Sequence, residues 1–179
     1  MDLSAFKAYD IRGRIPDQLN VELAEQIGLA YAAWLKPSNV IVGHDIRLTS
    51  PELTEALISG LRKAGVNCHF IGECGTEEVY FATDFYEMDG GIMVTASHNP
   101  KDYNGMKFVR ENSKPVSGDD GLAEIEALIR EGVLGNDQSE ETGSLDSLDY
   151  RKDYIAHLLS YVDRSALKPL KIVTNAGHG

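Results

Sequence analysis

The sequence is poor in cysteine and has no apolar run of the length that a membrane helix needs. Only two cysteines, Cys68 and Cys74, occur in 179 residues, which is too few for a disulfide-stabilised secreted domain and indicates reduced thiols. The first residues contain no basic stretch leading into an apolar one, so no signal peptide is visible. A membrane helix requires about 20 apolar residues. We therefore expect a cytoplasmic protein that has no membrane partner.

Positive charge is also scarce. The formal net charge is −11, with 17 Lys and Arg against 28 Asp and Glu. Residues 111–150 hold eleven of the acidic residues but only Lys114 and Arg130 among the basic ones. A nucleic-acid-binding surface needs clustered Lys and Arg, so we expect no nucleic-acid partner. We interpret the acidic segment as a solvated face, and the nearly neutral remainder would not repel an anionic substrate.

The chain alternates helical and extended patterns. Helical spacing of apolar residues predicts helices from Asn20 to Pro37, from Thr49 to Gly65, and at about 77–86, 120–131 and 149–162. Short β-branched runs predict strands at 40–42, 66–71, 91–95, 106–109 and 170–174. Strands separated by helices of this length favour an α/β fold with a mixed, mostly parallel sheet sandwiched by helices. In that sheet, 106–109 is expected to return as an antiparallel neighbour.

The second helix has the strongest start signal. Thr49 or Ser50 can supply the N-cap, and Pro51 suits the first helical turn. Glu52 lies at capping-box spacing from Thr49, and Gly65 follows the last turn.

The end of the chain is expected to belong to a second domain. Residues 132–148 are rich in Gly, Ser, Asp and Glu without periodicity, which predicts a loop or linker. We assign 1–145 to a first domain, and 146–179 to a linker, a helix and the first strand of a second α/β domain. The helix at 149–162 is expected to direct Tyr154, Leu158, Tyr161 and Val162 towards a core. A further element should follow the turn at 175–179, so this second domain is expected to be incomplete.

The segment 95–107, which reads T-A-S-H-N-P-K-D-Y-N-G-M-K, carries the chemistry. Ser97 follows a predicted strand, and ligands of α/β sheets tend to bind beyond the carboxyl ends of strands. A hydroxyl (Ser97), an imidazole (His98) and an ammonium (Lys107) close together suit phosphoryl transfer, which needs a nucleophile and positive charge around the phosphoryl oxygens. The sequence has no G-x-S-x-G elbow and no P-loop, which argues against a serine hydrolase and a P-loop NTPase.

The same segment resembles the active-site serine loop of the α-D-phosphohexomutases, T-[AG]-S-H-N-P followed by Y-N-G and a lysine. Three other segments are similar to motifs of that family and occur in the family's order: A-Y-D-I-R-G at 8–13, G-H-D-I-R at 43–47, and I-V-T-N-A-G-H-G at 172–179. Residues 75–83 and 103–107 look most like bacterial phosphomannomutases. The chain is identified as resembling the N-terminal part of this superfamily.

The resemblance implies an activity and a role for individual residues. A hexose 6-phosphate and a hexose 1-phosphate would interconvert through a hexose 1,6-bisphosphate, with Ser97 carrying the phosphoryl group as a phosphoserine. His98 would act as a hydrogen-bond donor or acid/base partner, and Lys107 and Arg12 would stabilise the transferring phosphoryl group. The residues implied to bind substrate are Tyr9, Arg12, Asn99 and Lys107.

The resemblance also implies a cofactor, an activator and missing partners. Mg²⁺ would bind an oxygen of the Ser97 phosphate together with a D-G-D-x-D loop that these residues lack. A hexose 1,6-bisphosphate would serve as the activator. The family's sugar-recognition loop and C-terminal phosphate-binding domain are also absent from these residues. The missing C-terminal domains of the same enzyme would therefore be partners, and the chain alone is not expected to turn over its phosphorylated hexose substrate.

Several alternatives stay open at this point. Many relatives have Thr-Pro where this sequence has Thr76-Glu77, which weakens a phosphoglucosamine mutase but leaves a phosphoglucomutase or a dual-specificity mutase beside the favoured phosphomannomutase. A non-catalytic phosphosugar-binding module is the alternative of another class. Asp45 and Arg47 are interpreted as a structural ion pair. His69 with the two cysteines fits no common zinc spacing and is interpreted as core packing.

Overall fold

The computed structural model describes residues 2–132 and 141–175. The chain forms two compact units, Met1–Leu148 and Asp149–Gly179. Within the described residues, no helix is long and apolar enough to cross a membrane. The assignment of 1–145 and 146–179 to two domains stays a prediction.

The first unit is built on one sheet. The strands found among its described residues are β1 (Ile11–Arg14), β2 (Asn39–His44), β3 (Asn67–Glu73), β4 (Gly90–Val94), β5 (Tyr103–Arg110), β6 (Lys114–Pro115) and β7 (Leu145–Ser147). Their order is β1-β5-β4-β2-β3-β7, and β6 pairs with β5. Strands β4, β2, β3 and β7 are parallel, whereas β5 runs antiparallel to β1, β4 and β6. The predicted mixed α/β sheet and the antiparallel return of 106–109 are confirmed.

Helices cover both faces of this sheet. They are α1 (Val21–Leu35), α2 (Ser50–Lys63), α3 (Thr76–Phe85) and α4 (Leu122–Glu131). Val40 and Val42 of β2 belong to the core cluster that contains the buried residues of α1, α2 and α4. Ile41 lies between them and faces the other way, because side chains alternate along a strand. A Cβ placed on Gly91 of β4 would contact Val79 of α3, so α3 covers the opposite face.

The start of α1 follows the sequence pattern. The Asn20 side chain accepts a hydrogen bond from the Leu23 backbone N–H at 2.9 Å, as an N-cap does. Lys36 adopts a left-handed conformation with φ of 53°, and the helix ends before Pro37. The predicted cap and helix end are confirmed.

The start of α2 differs from the predicted capping box. Thr49 has a right-handed helical backbone and makes no side-chain cap, because a capping side chain needs an extended backbone at that position. Its hydroxyl instead accepts a hydrogen bond from Asn104 Nδ2 at 2.9 Å. The Ser50 hydroxyl donates to Asp45 Oδ1 at 2.5 Å. The polar side chains at this helix start therefore bind the neighbouring loop and strand.

Two glycines allow α1 and α2 to pack backbone against backbone. A Cβ at Gly60 would overlap the Glu25 carbonyl oxygen, and a Cβ at Gly28 would overlap that of Leu57. We expect Gly60→Ala to lower the free energy of unfolding by about 2 kcal/mol, because the helices must separate. Urea unfolding measures this change. Glu55→Ala, on the exposed face of α2, is the control and should shift it by less than about 0.5 kcal/mol. Equal midpoints for both variants would contradict the prediction.

The second unit contains α5 (Arg151–Ser160) and a short 3₁₀ turn at Arg164–Ala166. The predicted helix is confirmed. Of the four side chains expected in a core, Tyr154 is half-buried beside Tyr150, but the expected burial is wrong for the other three. Leu158, Tyr161 and Val162 are 45%, 74% and 43% exposed. A helix buries an apolar stripe only against another element, and a unit this short has too few residues to form a core.

The predicted strand at 170–174 is not formed. Val173 is 95% exposed, and no strand in the described residues pairs with this segment. A β-branched run favours an extended backbone but becomes a strand only beside a hydrogen-bonding neighbour. Of the predicted turn at 175–179, residues 176–179 lie outside the described residues.

The predicted loop or linker at 132–148 is wrong at its end. Leu145–Ser147 form β7, which pairs with β3 in parallel register, Cys68 opposite Leu145. Such a short exposed edge strand has no apolar alternation, so its partner decides its conformation. Residues 133–140 of the predicted loop lie outside the described part of the chain.

Candidate functional site

The predicted nucleophile lies in the loop that joins β4 to β5, residues 95–102, which we call the serine loop. Ser97 is exposed and has a φ of 54°, in the left-handed region. Residues with a side chain adopt this conformation at a cost of about 1–2 kcal/mol, so the surroundings must hold it. The Ser97 N–H donates to Thr95 Oγ1 at 2.9 Å, and the Asn99 N–H donates to the Ala96 carbonyl at 3.0 Å. The loop is therefore a tight turn that presents its hydroxyl to solvent.

His98 lies directly beside that hydroxyl. Its Nδ1 is 3.2 Å from Ser97 Oγ, and both side chains are exposed. A ring nitrogen at this distance can exchange a proton with the serine oxygen or with a substrate oxygen that lies beside it. The structure thus brings two of the predicted catalytic residues together.

The other two predicted catalytic residues, Arg12 and Lys107, form a second group that we call the cation pair. Asp10 Oδ2 accepts hydrogen bonds from Arg12 Nε at 2.8 Å and from Lys107 Nζ at 2.9 Å, and it lies 2.7 Å from Arg12 Nη2. Asp10 is only 5% exposed. One buried carboxylate therefore holds both cations in place.

Strand pairing explains how residues so distant in sequence meet. Arg12 of β1 is opposite Gly105 of β5, and Lys107 is two residues further along β5 on the same face. The cation pair is linked to the serine loop because Arg12 Nη1 donates to Asn99 Oδ1 at 3.1 Å. The predicted residues Arg12, Asn99 and Lys107 thus belong to one connected network.

The Y-N-G segment that precedes Lys107 has a structural role. Asn104 is fully buried, donates to Thr49 and Ser50 hydroxyls at 2.9 Å each, and accepts from the Gly105 N–H at 2.8 Å. A Cβ on Gly105 would overlap the Ile11 carbonyl oxygen of β1. Asn104 and Gly105 therefore fix β5 against the start of α2 and let β1 lie close enough to place Arg12.

Tyr9 is the predicted site residue that no hydrogen bond in the described residues links to the others. Its ring is 81% exposed, and it makes no hydrogen bond within the described part of the chain. Its role in substrate binding stays a prediction.

The sequence did not reveal the importance of two residues, Asp10 and Arg47. Asp10 lies between Tyr9 and Arg12 in the Y-D-I-R-G segment, so its position between two predicted site residues was the available signal. Asp45 and Arg47 do form the predicted ion pair, at 3.4 Å, but the further contacts of Arg47 were not foreseen.

The described residues do not supply a metal site by themselves. In 2–132 and 141–175, no three His, Cys, Asp or Glu side chains cluster in a way that could hold a metal ion. Asp10 and Asp45, the two carboxylates of the hydrogen-bond network around the serine loop, are already paired with cations. Burial raises the pKa of Cys68 to about 12, so its thiol stays protonated. His69 Nε2 lies 3.1 Å from Asn39 Oδ1.

A family model, relatives of similar sequence and a solved structure all place this chain in one family. The model of the phosphoglucomutase/phosphomannomutase alpha/beta/alpha domain I matches residues 3–134. A Xanthomonas campestris pv. campestris protein named phosphohexose mutases is 56% identical over 100% of this chain and 40% of its own length. A Salmonella typhimurium phosphomannomutase is 51% identical over 99% of this chain and 39% of its own length. The chain thus spans about two fifths of these relatives.

A solved structure agrees with these relatives. The crystal structure of a phosphoglucomutase/phosphomannomutase family protein from Burkholderia thailandensis superimposes with a TM-score of 0.81 at 33% identity, over 89% of this chain and 36% of that one. The relatives are longer, and this chain matches their N-terminal part. Because the domain I model covers most of its residues, the chain belongs to the phosphoglucomutase/phosphomannomutase family.

Proposed function

We propose that this chain carries the phosphoryl group of a phosphohexomutase, which interconverts a hexose 6-phosphate and a hexose 1-phosphate, with mannose favoured. One observation carries the proposal: the exposed Ser97 hydroxyl lies 3.2 Å from His98 Nδ1 in a loop that Arg12 contacts through Asn99. Phosphoryl transfer needs a positioned oxygen and nearby positive charge rather than elaborate covalent machinery, and this loop offers both.

The proposed reaction has two balanced transfers. The bond between phosphorus and the Ser97 oxygen breaks while a bond forms to the free sugar hydroxyl, whose proton passes to a base such as His98. The Ser97 oxygen takes up the proton that this base received, so the products are a hexose 1,6-bisphosphate and a free Ser97 hydroxyl. After the sugar reorients, its other phosphoryl group returns to Ser97, and the proton of the Ser97 hydroxyl passes through the same base to the sugar oxygen. Arg12 and Lys107 stabilise the negative charge on the transferring group.

Two further parts of the proposal rest on the family. Mg²⁺ would bind a phosphate oxygen on Ser97 and would neutralise part of the negative charge of the phosphoryl group. The carboxylate ligands of the ion and the remaining substrate contacts would come from outside the described residues. The hexose 1,6-bisphosphate would act as activator. The chain by itself is therefore not expected to complete the cycle. We also propose a cytoplasmic location, which the presence of only two cysteines supports.

A second substrate preference within the same enzyme class also fits the relatives. The Salmonella relative is named a phosphomannomutase, but the Xanthomonas relative, at 56% identity, carries the broader name phosphohexose mutases. That broader name keeps a phosphoglucomutase, or one enzyme acting on both sugars, as the second candidate.

The test uses the full-length gene product. Mannose 1-phosphate and glucose 1-phosphate are supplied separately with Mg²⁺ and the matching 1,6-bisphosphate, and ³¹P NMR follows the 6-phosphates. We expect interconversion of both, faster for mannose, and intact-protein mass spectrometry should find one added phosphoryl group at Ser97. Binding without any interconversion would favour the phosphosugar-binding module instead. Phosphate on another residue would overturn the role of Ser97.

A further inference from the structure

We propose that Arg47 is the positioning residue that holds the serine loop in the conformation required for phosphoryl transfer. This inference rests on the proposed function of Ser97. It assigns to Arg47 a role beyond the structural ion pair with Asp45.

The Arg47 guanidinium donates hydrogen bonds to several backbone carbonyls in and beside the serine loop. Nη2 donates to the Ser97 carbonyl at 2.9 Å and to the Asn99 carbonyl at 2.6 Å. Nη1 donates to the Pro100 carbonyl at 2.8 Å and to the Tyr103 carbonyl at 2.9 Å. A tight turn points several carbonyls to the same side, and the planar fork of an arginine can bind them together.

Asp45 fixes Arg47 and the loop at the same time. Its Oδ1 accepts the Arg47 backbone N–H at 3.0 Å, and its Oδ2 lies 3.4 Å from Arg47 Nε. The same Oδ2 accepts the Thr95 hydroxyl at 2.7 Å, and Thr95 Oγ1 in turn accepts the Ser97 N–H at 2.9 Å. Both polar groups of the Ser97 main chain are thus held, the N–H through Thr95 and the carbonyl by Arg47.

These contacts separate Arg47 from the cation pair. An arginine side chain has five N–H donors. For Arg47, four point to the loop carbonyls and Nε faces Asp45, so none is left for a phosphate. Its side chain is only 15% exposed. Arg47 therefore acts on the reaction through the backbone, whereas Arg12 can contact the phosphoryl group directly.

The left-handed backbone of Ser97 explains why such support is needed. A φ of 54° is unfavourable for a residue with a side chain. Without Arg47, four carbonyls would have to find water, and the loop could relax to ordinary backbone angles that redirect the hydroxyl. A displacement of about 1 Å at a reacting atom can cost on the order of 100-fold in rate.

The experiment compares Arg47→Ala and Arg47→Lys in the full-length gene product with Arg62→Ala as matched control. Arg62 also donates to a loop carbonyl, that of Gly143 at 2.8 Å, and is not part of the serine loop network. Two quantities are measured: hydrogen exchange of the backbone amides at 97–99 and 101–103, and the rate at which glucose 1,6-bisphosphate phosphorylates Ser97. Each is repeated with added guanidinium ion, which can occupy the space left by the deleted side chain.

We expect Arg47→Ala to exchange these amides faster and to phosphorylate about 100-fold more slowly, with partial recovery of both in guanidinium. Half-saturation by the bisphosphate should stay within about threefold of wild type, because Arg47 does not touch the phosphate. Arg47→Lys keeps the positive charge but loses the planar guanidinium that binds several carbonyls. It should therefore show faster amide exchange and slower phosphorylation than wild type, both to a smaller extent than Arg47→Ala. Arg62→Ala should resemble wild type in both measurements.

The outcomes distinguish the two proposals. Wild-type exchange and phosphorylation in the Arg47 variants would overturn the role of Arg47 while leaving Ser97 as phosphoryl carrier. Absence of phosphorylation in the wild-type protein would overturn the proposed function, and loop exchange would still decide whether Arg47 holds the loop. Should Arg47→Ala fail to fold, Arg47→Lys decides, and its identity to wild type would refute the inference.

Discussion

Ser97→Ala is expected to abolish phosphoryl transfer and leave the fold intact. The residue is exposed, so removing its oxygen creates no cavity and should change the free energy of unfolding by less than about 1 kcal/mol. The variant lacks the atom that we propose carries the phosphoryl group, and removal of a covalent nucleophile lowers kcat by roughly 10⁴-fold or more. Mutase activity measures the loss, and intact-protein mass spectrometry should show that the added phosphoryl group is missing.

The matched control is Ser59→Ala. Ser59 is a half-buried serine of α2 whose hydroxyl donates to Glu25 at 3.2 Å, away from the serine loop. This variant should keep wild-type phosphorylation and activity. Retention of activity within tenfold of wild type by Ser97→Ala would rule out a phosphoserine mechanism, whatever the mass spectrum shows.

Asp10→Asn is expected to damage both stability and activity. The Asp10 carboxylate is 5% exposed, and its single Oδ2 atom holds Arg12 and Lys107. The amide of the variant has no charge to hold the two cations, which then repel each other in a partly buried place. Removing one partner of a fully buried ion pair costs about 3–5 kcal/mol of stability. Because the two cations are partly exposed, we expect Asp10→Asn to lower the free energy of unfolding by about 2 kcal/mol. Misplaced cations should also slow phosphorylation of Ser97 by about 100-fold.

Asp102→Asn is the control for this prediction. Asp102 lies in the serine loop and pairs with Arg14 at 3.5 Å, but both side chains are about half exposed, at 51% and 55%. Exposed ion pairs contribute about 0–1 kcal/mol, so this variant should remain close to wild type in urea unfolding and in phosphorylation rate. Similar losses in Asp10→Asn and Asp102→Asn would show that burial of Asp10 has no special importance.

Local patterns predicted the elements well where the interactions themselves are local. The Asn20 cap requires a contact only three residues away, to Leu23, and it formed as expected. The Thr49 capping box did not form, because the Thr49 backbone is helical and not extended, and its hydroxyl instead accepts a hydrogen bond from Asn104, 55 residues away. The segment 170–174 has the composition of a strand, yet it is not one in the described residues, since composition cannot supply a neighbouring strand.

The candidate site was predicted as a set of residues and not as an arrangement. The serine segment pointed to Ser97, His98 and Lys107, and the Y-D-I-R-G segment pointed to Arg12. Nothing in either segment showed that one carboxylate, Asp10, holds both cations. That contact joins residues 97 positions apart, and no periodicity or spacing rule extends over such a distance.

The sequence alone determined the helices, most of the strands and the α/β class, and it singled out the serine loop as the candidate site, because these follow from alternation, helical spacing and short motifs. The tertiary structure decided which groups surround Ser97. The strand order places β1 beside β5 and brings Arg12 to Asn99, 87 residues away. The parallel neighbours β2 and β4 end side by side, so Arg47 reaches carbonyls 50–56 residues away. Hydrogen bonds depend on distances of about 3 Å, and only the folded sheet sets those distances.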